Sequence, residues 1–369
     1  MYIHLSRPDI TDAEFKLVKE VLFSQTLSMG PKTKAFEEAF IRFTGKKFAL
    51  AVSSGTAGLH LLVRSFGINP GDEVITTPFS FISSSNCILF EGATPVFADI
   101  EPESLNIDPL QIEAKITPKT KALLPVHVFG HPVHMEKIKE LAQKHNLIII
   151  EDACEAIGAE FQGKKAGTLG DAAVFAFYPN KQITTGEGGM IVTDNPQIAE
   201  LCKSMRNQGR EEGIGWLDHK RLGFNYRMDE LSAALGLAQM GRINEIMEKR
   251  TQVAQMYHEK LKDIPEITLP THSKNIKMSW FVYVIRLKPN MNRSRVMQYL
   301  LDHGIQCRPY FSCIHLQPFY RSMFGYKPGT FPVAEAVSRS TLALPFYNNL
   351  KEEEIDYVVK TLKEAIVKL

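Results

Sequence analysis

The 369-residue chain has no long apolar run, no closely spaced cysteine pair and almost no net charge. No stretch of about 18 apolar residues occurs, so a membrane-spanning helix is not expected. The first residues lack a basic segment followed by an apolar one, so secretion is not expected either. The five cysteines are odd in number and widely spaced, without a CxxC or zinc-ligand spacing. This pattern predicts reduced thiols in a cytoplasmic protein.

The charges are balanced, with 43 Lys and Arg against 41 Asp and Glu, a net charge of +2. Neither a basic domain nor a long run of like charges is present, so a nucleic acid partner is not expected. Lys203, Arg206 and Arg210 form a local basic group without interleaved aromatic residues. They are interpreted as a solvated face or as partners for the diphosphate of a nucleotide.

Several motifs of other enzyme classes are also absent. No GxGxxG follows a predicted strand and no GxxxxGK[ST] occurs, which disfavours a nicotinamide dehydrogenase and a nucleoside triphosphatase. His127, His131 and His134 lie close together, but no HExxH or comparable acidic partner accompanies them. No metal site is therefore expected.

Short apolar runs alternate with helical patterns through most of the chain. Alternation of this kind predicts an α/β fold with a mainly parallel sheet, in which ligands bind beyond the carboxyl ends of the strands. The predicted strands are Phe48–Val52, Glu73–Thr77, Pro95–Ala98, Ala122–Val126, Leu147–Glu151, Ala173–Phe177 and Met190–Thr193.

Two domains are predicted, residues 1–252 and residues 253–369. The first begins with a helix that starts at a capping-box pattern at Thr11, with Phe15, Val21 and Leu22 as expected packing residues. The second is a smaller α+β domain, in which Trp280–Leu287 is a predicted strand.

One lysine, Lys181, lies between the aromatic strand Phe175–Phe177 and a glycine-rich turn, Gly186–Gly189. Most lysines are solvated surface residues. Here the apolar flank is expected to desolvate the amine, and the glycines allow close approach of the backbone to a ligand. An unprotonated amine can form a Schiff base with an aldehyde cofactor.

Three more features follow predicted strands. Ser54, Gly55 and Thr56 open a helix, where backbone amides suit a phosphate group, although the same residues form an ordinary N-cap. Phe79 or Phe81 can stack on a planar ring or pack in the core. Asp152 can keep a pyridine nitrogen protonated, or it can cap the next turn. Together with Lys181, these are the groups that pyridoxal 5'-phosphate (PLP) requires.

The chain resembles the DegT/DnrJ/EryC1/StrS family of PLP-dependent nucleotide-sugar aminotransferases over nearly its whole length. The residues that carry the resemblance are Gly30-Pro31, Ser54-Gly55-Thr56, Thr77-Pro78-Phe79-Ser80-Phe81, Gly92-Ala93-Thr94-Pro95-Val96, Glu151-Asp152-Ala153, Asn180-Lys181, Thr185-Gly186-Glu187-Gly188-Gly189, Gly223-Phe224-Asn225-Tyr226-Arg227, Arg308-Pro309-Tyr310-Phe311 and His315-Leu316-Gln317-Pro318-Phe319-Tyr320.

The resemblance implies fold type I, the aspartate aminotransferase fold, and a homodimer with active sites at the subunit interface. Lys181 would bind PLP covalently and shuttle the proton, and Asp152 would pair with the pyridine nitrogen. Phe81 would stack on the ring, and Gly55 with Thr56 would bind the phosphate. Asn225 would reach that phosphate from the neighbouring subunit, and Arg227 lies in the same motif.

Two positions depart from the family pattern. The family often has a phosphate-binding serine five residues before the lysine, where this chain has Ala176, so Tyr178 and Ser54 are candidates to replace it. The family commonly has Gln or His where this chain has Glu155, near the phenolic oxygen of the cofactor. A carboxylate there would repel a phenolate, so Glu155 is expected either to have a raised pKa or to point elsewhere.

The function implied is transfer of an amino group from an amino acid such as L-glutamate to a nucleotide-linked keto-sugar, in the biosynthesis of deoxy-amino sugars. Arg227, Arg308, Tyr310 and His315 are candidate substrate-binding residues, and the last three can instead serve interdomain packing. One alternative is a regulatory protein of the same fold without turnover. Another is a PLP-dependent sugar dehydratase, but that branch of the family has histidine in place of the lysine.

Overall fold

A computed structural model describes residues 1–211, 213, 215 and 218–368 of the chain. All seven predicted strands form, with boundaries that differ from the prediction by at most three residues. Two further short strands follow the fifth. The nine are β1 (Phe48–Val52), β2 (Glu73–Thr76), β3 (Thr94–Phe97), β4 (Thr120–Leu123), β5 (Ile148–Asp152), β6 (Glu160–Phe161), β7 (Lys164–Lys165), β8 (Ala172–Ala176) and β9 (Gly189–Thr193).

The seven predicted strands build one sheet in the order β1-β9-β8-β5-β4-β2-β3. Neighbouring strands in the run from β8 to β3 are parallel, whereas β9 is antiparallel to both of its neighbours, β1 and β8. The mainly parallel sheet is therefore confirmed. The carboxyl ends of β1, β5 and β8 lie at the same edge, which is where a ligand site is expected.

The sheet is buried on both faces. Leu50 and Val52 of β1 belong to one hydrophobic cluster, whereas Ala49 and Ala51 belong to another, because successive side chains of a strand point to opposite faces. The first eight helices are α1 (Asp12–Ser24), α2 (Pro31–Thr44), α3 (Gly55–Ser65), α4 (Ser83–Leu89), α5 (Pro109–Glu113), α6 (Met135–His145), α7 (Pro196–Arg206) and α8 (Glu230–Gly241).

Helix α1 begins at the predicted capping box, in which Thr11 N donates to Glu14 Oε2 at 2.6 Å. The predicted packing face is wrong in part, because Phe15 and Leu22 are exposed, whereas Glu14 and Val21 are buried. Glu14 is buried because Gln239 of α8 donates a hydrogen bond to its carboxylate at 2.8 Å. The exposed residues leave an apolar face on the outside of the helix.

The C-terminal part contains α9 (Ile243–Leu261), β10 (Ile267–Thr268), β11 (Ile276–Lys277), β12 (Tyr283–Leu287), α10 (Arg293–Asp302), α11 (Pro318–Phe324), α12 (Pro332–Ser340), β13 (Thr341–Leu344) and α13 (Glu352–Lys368). Strands β10, β12 and β13 form an antiparallel sheet, and β11 pairs with β6. The strand predicted from Trp280 begins only at Tyr283. The residues before it turn towards the first domain.

The predicted domain boundary at residues 252 and 253 lies inside α9. Ile243 and Ile246 pack with the central sheet, whereas Val253 and Tyr257 pack with the C-terminal sheet. The helix thus contributes to two hydrophobic clusters, one on each side of the boundary. The division into two domains stays a prediction, which this change of packing partner supports.

Neither a disulfide nor a spanning helix is found in the described part of the chain. All five cysteines are free; four are buried and Cys154 is partly exposed. None of the described helices combines the length and the apolar character needed to cross a membrane.

Candidate active site

A cleft with a volume of about 490 Å³ opens at the carboxyl ends of β1, β5 and β8. The cleft brings together ten of the residues that the sequence analysis names. These are Ser54, Gly55, Thr56, Phe81, Asp152, Glu155, Ala176, Tyr178, Lys181 and Tyr310.

Lys181 lies in the loop between β8 and β9, where its backbone N–H donates to Tyr178 O at 2.9 Å. Its side chain is only 13% exposed, so it is not a solvated surface lysine. Nζ lies 3.2 Å from Oε1 of Glu155 and 3.9 Å from the ring centroid of Phe281. The loop therefore directs the amine into the cleft, where a carboxyl group and an aromatic face contact it.

Two of the carboxyl groups that line the cleft, those of Asp152 and Glu155, are buried. Asp152, at the end of β5, accepts a hydrogen bond from Cys154 N at 3.1 Å, so the predicted turn cap also forms. Burial raises the pKa of Asp152, and its hydrogen bonds with Cys154 and the charge of Lys181 offset only part of this effect. Burial also raises the pKa of Glu155, against the opposing charge of Lys181. Glu155 points into the cleft, and its pKa is raised.

The N-terminus of α3 forms the wall opposite these acids. Ser54 is its N-cap, and its Oγ accepts a hydrogen bond from Ala57 N at 3.0 Å. Ser54 therefore caps α3 in the ordinary way, and it also lines the cleft. Gly55 packs closely, since a Cβ there would lie 2.7 Å from the Cβ of Ala176 and 2.9 Å from Sγ of Cys154.

The two candidate stacking residues differ in location. Phe79 is completely buried in the core, whereas Phe81 is 62% exposed and lines the cleft. A face that is exposed in the protein alone is available to stack on a planar ligand. Phe79 is therefore excluded from contact with a ligand in the cleft, whereas the stacking role of Phe81 stays a prediction.

The residues present fit PLP. Besides the amine, the buried carboxyl group, the helix N-terminus and the exposed ring, the cleft contains a buried polar atom without a partner. Oδ1 of Asn180 has no hydrogen-bond partner within the described residues, and Asn180 lines the cleft. An unsatisfied buried oxygen is expected where a ligand supplies the missing donor.

Sequence reasoning missed Phe281, which lines the cleft against Lys181. The sequence predicts one strand over Trp280–Leu287, but Trp280 has a positive φ of 51° and the strand begins only at Tyr283. The only indication in the sequence is the pair of aromatic residues, Trp280 and Phe281, before the strand. This pair does not show that Phe281 contacts Lys181.

Four predicted site residues, Asn225, Arg227, Arg308 and His315, do not line the cleft of their own chain. Asn225 is exposed, and its backbone forms an isolated antiparallel β-bridge with that of Asn207. Arg227 donates from Nη1 to Asn207 Oδ1 at 2.9 Å and lines a second groove, of about 660 Å³. The groove, here called the basic groove, also contains Lys34, Glu37, Glu200, Lys203, Arg206, Arg210 and Glu211.

Of the three remaining substrate-binding candidates, only one lines the cleft. Tyr310 lines the cleft, but Arg308 is exposed outside it and donates to Cys307 O at 3.2 Å. His315 is completely buried, 3.1 Å from Oε1 of Glu335, and packs on Phe331. The location of His315 corrects its assignment, because a side chain enclosed in the packing cannot contact a substrate in the cleft.

Two of the three clustered histidines form hydrogen bonds within the protein. Nε2 of His127 lies 2.9 Å from Oε2 of Glu151, and Nδ1 of His131 lies 2.9 Å from Pro132 O. His134 packs on Phe161. Among the described residues, no group of three or more His, Cys, Asp or Glu side chains is arranged to hold a metal ion.

Comparison with known proteins connects this geometry to an enzyme family. The model of the DegT/DnrJ/EryC1/StrS aminotransferase family matches residues 8–363. GDP-perosamine synthase of Caulobacter vibrioides is 38% identical over 99% of this chain and 98% of its own. The structure of PseC from Helicobacter pylori, an aminotransferase involved in the biosynthesis of pseudoaminic acid, superimposes with a TM-score of 0.96 and 32% identity, covering 100% of both chains. The PLP form of the Streptococcus pneumoniae putative sugar aminotransferase Spr1654 gives a TM-score of 0.95 at 26% identity, over 100% of this chain and 99% of its own.

Proposed function

Because the chain belongs to the DegT/DnrJ/EryC1/StrS aminotransferase family, whose members are PLP-dependent sugar aminotransferases of fold type I, we propose that it transfers an amino group from L-glutamate to a nucleotide-diphosphate-linked keto-sugar. The observation that carries the proposal is the position of Lys181, whose Nζ lies in the cleft 3.2 Å from Glu155, in the same cleft as Asp152 and the start of α3. An amine placed in this way can bind an aldehyde cofactor and move protons beside it.

The cleft residues divide the binding of PLP among them. When bound, PLP supplies a reactive aldehyde and an electron-withdrawing ring. Asp152 would hold the pyridine nitrogen protonated, and Phe81 would stack on the ring. Ser54, Gly55, Thr56 and Tyr178 would bind the phosphate group, with Asn225 of a second subunit. Glu155 would lie near the phenolic oxygen, and its raised pKa allows it to be protonated there.

Lys181 would act as base and acid in turn at the reacting carbon of the substrate. Its side chain is largely buried. A proton that the amine accepts therefore exchanges with water more slowly than it would on an exposed amine. Lys181 reaches the cleft from a loop anchored between β8 and β9, which limits its movement. These properties suit repeated transfer of one proton between neighbouring atoms.

The charge of the cleft supports a homodimer with shared active sites. Among the described residues that line it, Lys181 is the only cation, against the three carboxyl groups of Asp152, Glu155 and Glu187. A nucleotide diphosphate, the phosphate of PLP and the carboxylate of an amino acid are all anionic, so further cations are required. We propose that the basic groove of a second subunit, including Arg227, supplies them.

Several exposed apolar residues are consistent with such a dimer. Leu22, Phe23, Met29 and Leu222 are all at least half exposed, and Met29 itself lines the groove. Large exposed apolar side chains are common at subunit contacts, which would bury them.

The choice of acceptor is supported by the relatives. The Caulobacter protein is named for the synthesis of GDP-perosamine, and the Helicobacter enzyme for pseudoaminic acid biosynthesis. We therefore place this chain in the biosynthesis of deoxy-amino sugars, including those of polysaccharides. The retained Lys181 argues against a dehydratase, and the two relatives named here are enzymes of amino-sugar biosynthesis, which argues against a regulatory role without turnover.

We also propose a cytoplasmic location for the enzyme. Five free cysteines are expected in a reducing compartment. Nucleotide-linked sugars and L-glutamate would be its partners there, and no nucleic acid or membrane partner is part of the proposal.

The first test is the absorption spectrum of the purified protein with PLP, before and after L-glutamate. We expect the band of lysine-bound PLP to be replaced by that of pyridoxamine phosphate, with release of 2-oxoglutarate. Lys181→Ala should abolish both the first band and turnover, whereas Lys139→Ala, at an exposed position, should change neither. A folded Lys181→Ala protein that still transaminates would contradict the proposal.

Shared sites can be tested by mixing two inactive variants. Lys181→Ala and Asn225→Ala dimers each lack one part of both sites. A mixed dimer regains one complete site, because Lys181 then comes from one subunit and Asn225 from the other. Mixing should restore activity up to about one quarter of the wild-type value, given random exchange of subunits. Activity that is not restored, although subunits exchange, would show that each site belongs to one chain.

A further inference from the structure

The side-chain oxygen of Asn180 is buried at the wall of the cleft and has no hydrogen-bond partner among the described residues. Asn180 precedes Lys181 in the loop between β8 and β9. Among the described residues that line the cleft, no other buried side-chain nitrogen or oxygen lacks a partner. An unpaired buried acceptor destabilises a protein, so a ligand that donates to this oxygen gains affinity by doing so.

Tyr310 orients the amide group of Asn180. Burial raises the pKa of the Tyr310 hydroxyl and the charge of Glu155 raises it further, whereas a hydrogen bond with the side chain of Asn180 lowers it. A hydrogen bond lowers the pKa of a phenol when the phenolic oxygen accepts it. The amide N–H of Asn180 is therefore the donor to Tyr310, and Oδ1, on the other side of the amide, remains available to accept.

The ring of Tyr310 is itself held in place by three aromatic rings. Its centroid lies 6.3 Å from that of Phe129, 6.4 Å from that of Phe281 and 5.1 Å from that of Phe311, each in an edge-to-face arrangement. The ring of Phe281 also contacts Nζ of Lys181, at 3.9 Å from its centroid. Asn180, Tyr310 and the amine thus lie in the same part of the cleft. A ligand group that reaches Oδ1 is therefore close to the carbon at which Lys181 acts.

Neither PLP nor L-glutamate supplies the missing donor. The phosphate and phenolic oxygens of PLP accept hydrogen bonds, and the N–H of its pyridine ring is assigned to Asp152. The carboxylates of L-glutamate also only accept, and its amino nitrogen is the atom that is transferred. A hydroxyl group can donate. A keto-sugar carries hydroxyl groups on carbons beside its keto group, which is the group that reacts.

We propose that Asn180 is a specificity-determining residue whose Oδ1 accepts a hydrogen bond from a sugar hydroxyl on a carbon next to the keto group. Tyr310 is its positioning residue. This role rests on the proposed function and narrows its acceptor to keto-sugars that retain such a hydroxyl. A sugar without it would leave the buried oxygen unpaired, and sites built to bond a hydroxyl reject analogues that lack one.

The test compares acceptors that differ in one hydroxyl group. Nucleoside-diphosphate-linked 3-keto and 4-keto hexoses are the probes, each beside the analogues in which a hydroxyl next to the keto group is replaced by hydrogen. For the sugar that the wild type aminates, loss of this hydroxyl should lower kcat/KM about 10- to 100-fold. Asn180→Leu, which has a similar size but no acceptor, should reduce this preference to about threefold or less. Asn180→Asp keeps an acceptor and should retain the preference, although its added charge lowers kcat/KM for both sugars.

The preference for the hydroxyl must depend on Asn180. A preference in folded Asn180→Leu equal to that of the wild type overturns the proposal. If that variant does not fold, Asn180→Ala decides, because it also removes the acceptor. Tyr310→Phe should lower the preference in part, since the amide loses the hydroxyl that orients it; an unchanged preference there removes the positioning role of Tyr310.

The half-reaction with L-glutamate separates this role from the proposed function. Absorbance follows it without any sugar, and Asn180→Leu should slow it by no more than about threefold, because the amino acid has no donor for Oδ1. A loss as large as that with the sugar would show that Asn180 acts on PLP or Lys181, which contradicts a role in specificity. A wild type that converts no keto-sugar contradicts the proposed function and with it the role of Asn180. A wild type that converts both sugars of a pair equally well contradicts only the role of Asn180.

Discussion

Glu151 and Asp152 are adjacent in β5, yet their carboxyl groups lie in opposite environments. Glu151 is completely buried beneath the cleft and accepts hydrogen bonds from His127 Nε2 and from three backbone amides. Burial would raise the pKa of Glu151, but these hydrogen bonds outweigh it and the pKa is lowered. The pKa of Asp152 is raised by burial. The carboxylate of Glu151 is thus bound by groups of the protein, whereas the carboxyl group of Asp152 lines the cleft, where a ligand can contact it.

Glu151→Gln should destabilise the protein by about 3 kcal/mol, because an amide nitrogen would face backbone donors. Since the folded pKa of Glu151 lies below its unfolded value, its stabilisation is present above about pH 4.5 and is lost as the pH falls through the folded pKa. Urea unfolding at pH 7.5 and pH 4 measures both effects. Equal stability of the variant and the wild type at pH 7.5 would contradict the argument.

Asp152→Asn should have the opposite effect on the cofactor-free protein. A raised carboxyl pKa means that ionisation costs folding stability as the pH rises through it, so removal of the charge should increase the free energy of unfolding at pH 7.5. The same variant should lose about 10²-fold or more in kcat, because the pyridine nitrogen loses its carboxylate partner. Parallel unfolding and kinetic measurements test this; a variant less stable than the wild type would show that Asp152 has a structural partner.

The sequence predicts the sheet well because each strand is a short apolar run between turn residues, and parallel strands are buried on both faces. It also predicts that Lys181, Asp152 and Ser54 meet, because their strands end at one edge. It does not predict that Phe281 contacts Lys181, because the backbone of Phe281 is held by hydrogen bonds with Arg250 and Phe129, which are distant in the chain. Similarly, the spacing of Phe15 predicts a packed residue, but spacing does not determine whether an apolar helical residue faces α8 or the outside of the protein.

Ala176→Ser should strengthen PLP binding. Ala176 lines the cleft next to Gly55, and its Cβ is where a hydroxyl group would face the start of α3. A hydrogen bond to a charged phosphate should lower the dissociation constant by about tenfold. Equilibrium titration with PLP measures this, with Ala114→Ser at an exposed position as the control. Unchanged affinity would show that the phosphate does not reach Ala176.

His315→Ala should affect stability and not substrate recognition. It removes a buried ring and the hydrogen bond to Glu335, which should cost about 2 to 4 kcal/mol. Steady-state kinetics at a temperature where the variant is folded should give an unchanged KM for the keto-sugar. Tyr310→Phe, which alters a residue of the cleft itself, should change that KM. A raised KM in His315→Ala alone would return His315 to the substrate site.

Stability should fall steeply below pH 6.5 because several buried histidines resist protonation. Burial lowers the pKa of His131 to about 4 and also lowers those of His60 and His315. As the pH falls from 6.5 the unfolded chain binds these protons first, so the folded state loses up to about 1.4 kcal/mol per pH unit for each histidine until its folded pKa is reached. His131→Asn should reduce the dependence of the free energy of unfolding on pH between pH 6 and 4.5 by the contribution of one proton. Equal slopes for His131→Asn and the wild type would mean that His131 is protonated in the folded protein over this range.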